Sequence, residues 1–167
     1  MATAEKIYGW VKKYLDKTGI DYTTDKDDDG ATIDILRSGE PEAIYMRIIC
    51  TDFNVTFNYI VNLKVEFKPC ANVLEYFARI NSHLYNGCFI TDFDDEKFYI
   101  RQNINCIDKT SISDDLFDFI LSGPGVMWSF YGDGMYSVMS GEKTPKEAVD
   151  EVFESINEES CSCGCGH

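Results

Sequence analysis

From Val55 to Phe67 the chain alternates without a break. Val55, Phe57, Tyr59, Val61, Leu63, Val65 and Phe67 take every odd position, and Thr56, Asn58, Ile60, Asn62, Lys64 and Glu66 fill the even ones. Successive side chains of a strand point to opposite faces, so this period of two predicts a long strand with one buried and one wet face. Ile60 puts an apolar side chain on the wet face. Upstream, Ala31, Ile33 and Ile35 alternate with Thr32 and Asp34, and Ile44, Met46, Ile48 and Cys50 line one side of another strand, with Gly39-Glu40-Pro41 turning between them. The connections are too short for helical crossovers, which predicts an antiparallel meander of three strands. A short strand near Ile20 to Thr24 and an acidic turn, Asp25 to Gly30, precede it.

Elsewhere the period is helical. Ile7, Trp10, Val11, Tyr14 and Leu15 share one face, predicting a helix over 3–17 that Gly19 stops. Val73, Phe77, Ile80 and Leu84, with Leu74 beside them, predict a second over 70–85, ended by Asn86-Gly87. A hairpin follows, Phe89 to Phe93 and Phe98 to Cys106, around Asp94-Asp95-Glu96. Ser111 is the expected N-cap of a helix buried through Ile112, Leu116, Phe119 and Ile120, which Gly123-Pro124-Gly125 breaks or kinks before Val126 to Met139 turns helical again. The last helix has the clearest start: Thr144 caps, Pro145 takes the first position, Glu147 completes a capping box, and Ala148, Val149, Val152 and Ile156 form its buried stripe. This order predicts an α+β fold, an antiparallel sheet (meander plus hairpin) with helices packed on one face. Residues 1–157 read as a single domain and 158–167 as a flexible, Cys-rich tail.

Composition narrows the function. With 44% hydrophobic and 14% aromatic residues in 167, the chain has material for a core. Fifteen Lys and Arg stand against 29 Asp and Glu, a net charge of −14, and such a surface repels both nucleic acid and anionic membranes. No apolar run approaches the roughly 18 residues of a membrane span, and no signal core is visible at the start. Of seven cysteines, Cys50, Cys70, Cys88 and Cys106 sit in apolar patterns as small buried hydrophobes, reduced thiols of a cytoplasmic protein.

The segment VLEYFARINSHLYNGCFITDFDDEKFYIRQNI, residues 73–104, with Asn81 on its helix and Gly87 before its hairpin, resembles YbjN-domain proteins. The aromatic-rich helical stretch after it, the Ser140-Gly141-Glu142 loop and Thr-Pro-Lys-Glu-Ala at 144–148 agree, so the resemblance covers about residues 3–157. It implies a fold like that of type III secretion chaperones: small acidic α+β proteins, usually homodimers, that bind other proteins. The family is described as bacterial sensory-transduction regulators, with no enzymatic activity attached. The cysteine tail lies outside that pattern.

Asp25, Asp27, Asp29 and Gly30 match the opening of a calcium loop, but its eighth and twelfth positions hold Thr32 and Leu36, so a solvated turn is expected. A nucleophile system would have to run through His83, at a helix end, where an imidazole suits the helix dipole. Asn81 is expected to bond the backbone of the following turn. Asp92, Asp94 and Asp95 sit on one hairpin tip, and Gly132-Asp133-Gly134 lacks the strand-then-helix context of a phosphate loop. The exception is the tail, where Cys161, Cys163, Cys165 and His167 offer thiolate and imidazole ligands for zinc or copper(I). The sequence therefore predicts a non-enzymatic protein-binding module, a homodimeric adaptor or regulator. Its partner would be basic, because residues 110–167 carry 11 acids and only Lys143 and Lys146 as bases. The alternative is metal or redox handling through the tail.

Overall fold

A computed structural model of the chain describes residues 2–27, 30–37, 44–61, 63 and 66–162; at 27, 30, 36–37, 44 and 157–162 the backbone alone is described. Among the described residues four helices and six strands run in the order α1 (Ala4–Thr18), β1 (Thr23–Asp27), β2 (Gly30–Arg37), β3 (Ile44–Thr51), β4 (Asn54–Val61), α2 (Ala71–Asn81), β5 (Cys88–Asp92), β6 (Lys97–Asn105), α3 (Asp114–Ser140) and α4 (Pro145–Ser162). The strands form one antiparallel sheet in the order β1-β2-β3-β4-β6-β5. The hairpin thus joins the meander through β6, which pairs with β4 from Asn54↔Asn105 to Tyr59↔Ile100.

Register follows from alternation. Ala31, Cys50, Val55 and Ile104 form one row across the sheet, and Ile35, Met46, Tyr59, Ile100 and Phe89 form another. All nine are buried, on the face that carries the helices. A one-residue slip in any strand would send its whole apolar set into water, so each pairing is fixed. Phe77 of α2 sits at the hub of an aromatic cluster, with ring centroids of Phe89 at 5.1 Å, Phe98 at 5.4 Å and Phe67 at 6.4 Å.

Five expectations change. The strand expected over 55–67 is β4 as far as Val61, which pairs with Ile44; residues 62, 64 and 65 lie outside the described residues, and 63, 66 and 67 are coil. Phe67 stays buried from the coil that follows. Asp25 lies in β1, paired with Thr32, so the acidic segment is part strand. α2 stops at Asn81 rather than about 85, and Leu84 packs against the core from outside the helix. The fourth is larger: α3 is one helix of 27 residues, capped by Ser113 and not Ser111, and it runs through Pro124. α4 keeps helical backbone to Ser162, beyond residue 157.

A proline inside a helix has no N–H for the carbonyl four residues back, here Ile120. The buried Tyr59 hydroxyl, from β4, donates to that carbonyl. Three turns further on, the Tyr76 hydroxyl donates to the Tyr131 carbonyl at 2.8 Å, over Gly134, where a Cβ would overlap the tyrosine oxygen. Two tyrosines from different elements therefore pin the backbone of α3 and set its rotation about its axis.

Candidate functional site

The pinned helix turns Phe117, Ile120, Leu121, Met127, Tyr131, Met135 and Val138 into the core. Phe117 stacks on Tyr14 with ring centroids 4.6 Å apart and meets Phe57 edge-on at 6.5 Å. Phe119, expected in the buried stripe, is on the opposite side. The expectation took its phase from Ile112, which precedes the helix; from its true start the inner positions are 117, 120 and 121.

The outer side is apolar in its middle. Phe119, Val126 and Phe130 are 55%, 53% and 40% exposed, although soluble surfaces seldom gather large apolar groups. They recur at i, i+7 and i+11, one side of a helix. Ser122 and Ser129 lie alongside, and each hydroxyl donates back to its own helix, Ser122 to the Asp118 carbonyl and Ser129 to that of Val126, both at 2.8 Å. Their polar atoms are thereby occupied, leaving a face more apolar than its composition. Carboxylates bracket it. Asp114 pairs with Lys17 and Asp118 accepts the Tyr14 hydroxyl. Asp115 and Asp133 are exposed and form no ion pair among the described residues. The Asp114 partner raises the Lys17 pKa above its ordinary value through a hydrogen bond.

Past Asp133 this face adjoins a groove of about 800 Å³ between the end of α3 and the stretch before α2. Glu66, Lys68 and Cys70 form one wall, and Tyr136, Met139 and Glu142 the other. Cys70 is exposed at the N-cap of α2, and Cys88 is half-buried; both depart from the expected burial, which Cys50 and Cys106 meet. Burial pushes the Cys50 thiol up to about 12, so it is inert at neutral pH.

The sheet face away from the helices is a second surface. There Asp34 takes a two-pronged bond from Arg47 at 3.0 and 3.1 Å, and Arg101 donates to Asn58 at 2.7 Å. Burial raises the Asp34 pKa, but the bonds from Arg47 and Tyr45 outweigh it and leave it below the ordinary carboxylate value. Tyr45 and Ile60 face each other on β3 and β4, and Ile90 and Tyr99 on β5 and β6, forming a half-buried apolar band across this face.

The residues singled out for chemistry are scattered. Asn81 bonds the following strand through both ends of its amide, donating to the Phe89 carbonyl at 2.9 Å and accepting its N–H at 2.8 Å, a structural clamp. His83 is exposed, its ring against Phe153 at 4.6 Å. Asp92 accepts the N–H groups of Asp94 and Asp95, closing the hairpin turn. Asp29 lies outside the described residues, as do Cys163, Cys165 and His167, and Cys161 is described by backbone alone in the last turn of α4. Among the described residues no three His, Cys, Asp or Glu side chains gather as a metal site, and no helix is long and apolar enough to cross a membrane. Sequence reasoning missed Val126 and Phe130 as surface residues. The absence of any Lys, Arg or Glu between Asp114 and Ser140 was the available sign that this helix is apolar around much of its circumference.

No protein-family model matches the chain, and no curated protein does. Among solved structures it is similar to YbjN from E. coli, described as a candidate transcription regulator, over 92% of this chain and 93% of that one, at 12% identity and a TM-score of 0.47.

Proposed function

We propose that this chain is a non-enzymatic protein-binding module, a chaperone-like adaptor or regulator of the bacterial cytoplasm, that holds its partner on the outer face of α3. The observation that carries the reading is the exposed row of Phe119, Val126 and Phe130 on a helix whose other side is anchored in the core. Large apolar groups cost free energy in water wherever they remain uncovered, and a face of this kind is the usual seat of a partner's anchor residues. Replacing all three by Ser leaves the core untouched, so the variant should keep the wild-type unfolding midpoint and lose the partner. Equal partner capture by wild type and by the folded triple variant would refute the assignment.

Dimerisation belongs to the same proposal and uses the other surface. The band of Tyr45, Ile60, Ile90 and Tyr99 lies beside both acids and bases, Asp34 against Arg47 and Arg101, so a second acidic chain meets less repulsion there than at the helices. Sedimentation should give twice the 19.0 kDa chain mass, falling to one chain in Ile60→Asp. A wild-type species of single-chain mass at micromolar concentration would end this part of the reading.

A further inference from the structure

We infer that the occupant of the α3 face is a cationic amphipathic helix of another protein, with an apolar middle and Lys or Arg towards both ends; the inference rests on the binding reading just given and supplies the partner's chemistry. Phe119 and Phe130 lie 11 positions apart, about 16 Å along the axis, a span that three turns of a facing helix cover. Beside this ridge runs a trough of small residues, Ser122, Gly125 and Ser129. Apart from its chain neighbours and the adjoining backbone of α3, no atom of the described residues comes within 4 Å of where a Cβ on Gly125 would stand, so no packing contact requires a glycine there. Glycine within a helix is less favourable than alanine, and a helix seated ridge-into-groove is what such an empty position accommodates.

Charge selects the partner. Across its 27 residues α3 carries Asp114, Asp115, Asp118 and Asp133 and no base. Asp115 and Asp133 stand at the two ends of the apolar row on its exposed side, 18 positions or five turns apart. Glu142, on the groove that adjoins the row, extends the negative field past Asp133. A second copy is the wrong occupant. Packed antiparallel about a twofold axis, α3 against α3 sets Asp115 of each chain against Asp133 of the other, and a parallel pair stacks each acid on itself. A helix with basic ends satisfies both carboxylates and covers the phenylalanines together.

The test uses the full chain and two labelled amphipathic 18-residue peptides sharing one Leu/Ala face, the first with Lys at both ends and the second with Glu. Fluorescence anisotropy should show the Lys-ended peptide binding at least tenfold more tightly, with its affinity falling severalfold as salt is raised beyond the screening length of physiological buffer. Asp115→Asn with Asp133→Asn should weaken it about tenfold at an unchanged unfolding midpoint, and serines at 119, 126 and 130 should abolish it. Equal binding of both peptides at α3, unmoved by the Asn pair, would overturn the charge class while leaving apolar docking in place. Failure of both peptides to bind would overturn docking on α3 itself. A wild-type dimer dissociated by the serine substitutions would give the face to a second copy and likewise overturn the inference.

Discussion

Tyr59→Phe isolates the contact on which the placement of α3 depends. The substitution removes one oxygen from a side chain that is 1% exposed and deletes no carbon, so neither a large cavity nor lost apolar burial contributes. What changes is the Ile120 carbonyl, which loses its donor in a place where Pro124 supplies none. Leaving a buried acceptor without its partner costs about 1–3 kcal/mol. For a chain of this length each kcal/mol lowers the unfolding midpoint by about 2–4 °C, so the expected loss is roughly 2–12 °C. The second arm is Pro124→Ala, which restores an N–H to reach the same carbonyl. In that background Tyr59→Phe should lose at least half its wild-type effect, a coupling of about 0.5–2 kcal/mol between two residues far apart in the chain. Urea unfolding followed by circular dichroism and by tryptophan fluorescence measures all four corners of the cycle. Equal cost of Tyr59→Phe with and without Pro124 would refute the idea that the tyrosine replaces the missing N–H.

Phe77→Ala should destabilise by roughly 3–5 kcal/mol, since it empties the hub of the cluster formed with Phe67, Phe89 and Phe98; a loss below about 1 kcal/mol by urea titration would place the core elsewhere. The Asp34 pKa is depressed in the folded state, so the stability it contributes is present above the ordinary carboxylate value near 3.9 and is lost as pH falls through the lower folded value. Asp34→Asn should therefore cost about 1 kcal/mol or less at pH 7, the pair being partly exposed, and the gap between the two unfolding midpoints should close as the pH falls below the ordinary carboxylate range. The tail should take up about one zinc or copper(I) per chain, more tightly as pH rises because thiolates compete with protons. Joint substitution of Cys161, Cys163 and Cys165 by Ser should abolish uptake without moving the unfolding midpoint, and metal retained at one equivalent by elemental analysis would locate the ligands elsewhere.

Local pattern decided what local physics controls. Alternation from Val55 to Val61 told which side of β4 faces the core, because a strand's side chains can only alternate. Thr144, Pro145 and Glu147 announced the start of α4, and the structure closes that box, with the Thr144 N–H on Glu147 at 2.9 Å and the Glu147 N–H on the Thr144 hydroxyl at 3.3 Å. Asn81 was legible as a clamp for the same reason: its partner, Phe89, is eight residues away. The features that needed the folded chain depend on partners distant in sequence. β4 pairs with β3 from Thr51↔Asn54 to Ile44↔Val61, and Phe67, which continues the alternation in sequence, is buried from coil instead. α3 survives Pro124 because a tyrosine 61 residues before Ile120 reaches its carbonyl, and no helical rule applied to Gly123-Pro124-Gly125 could contain that donor. Phe119 follows from the same contact. Tyr59 and Tyr76 fix the rotation of α3, and rotation alone decides whether a phenylalanine in an apolar helix is core or is left outside for a partner.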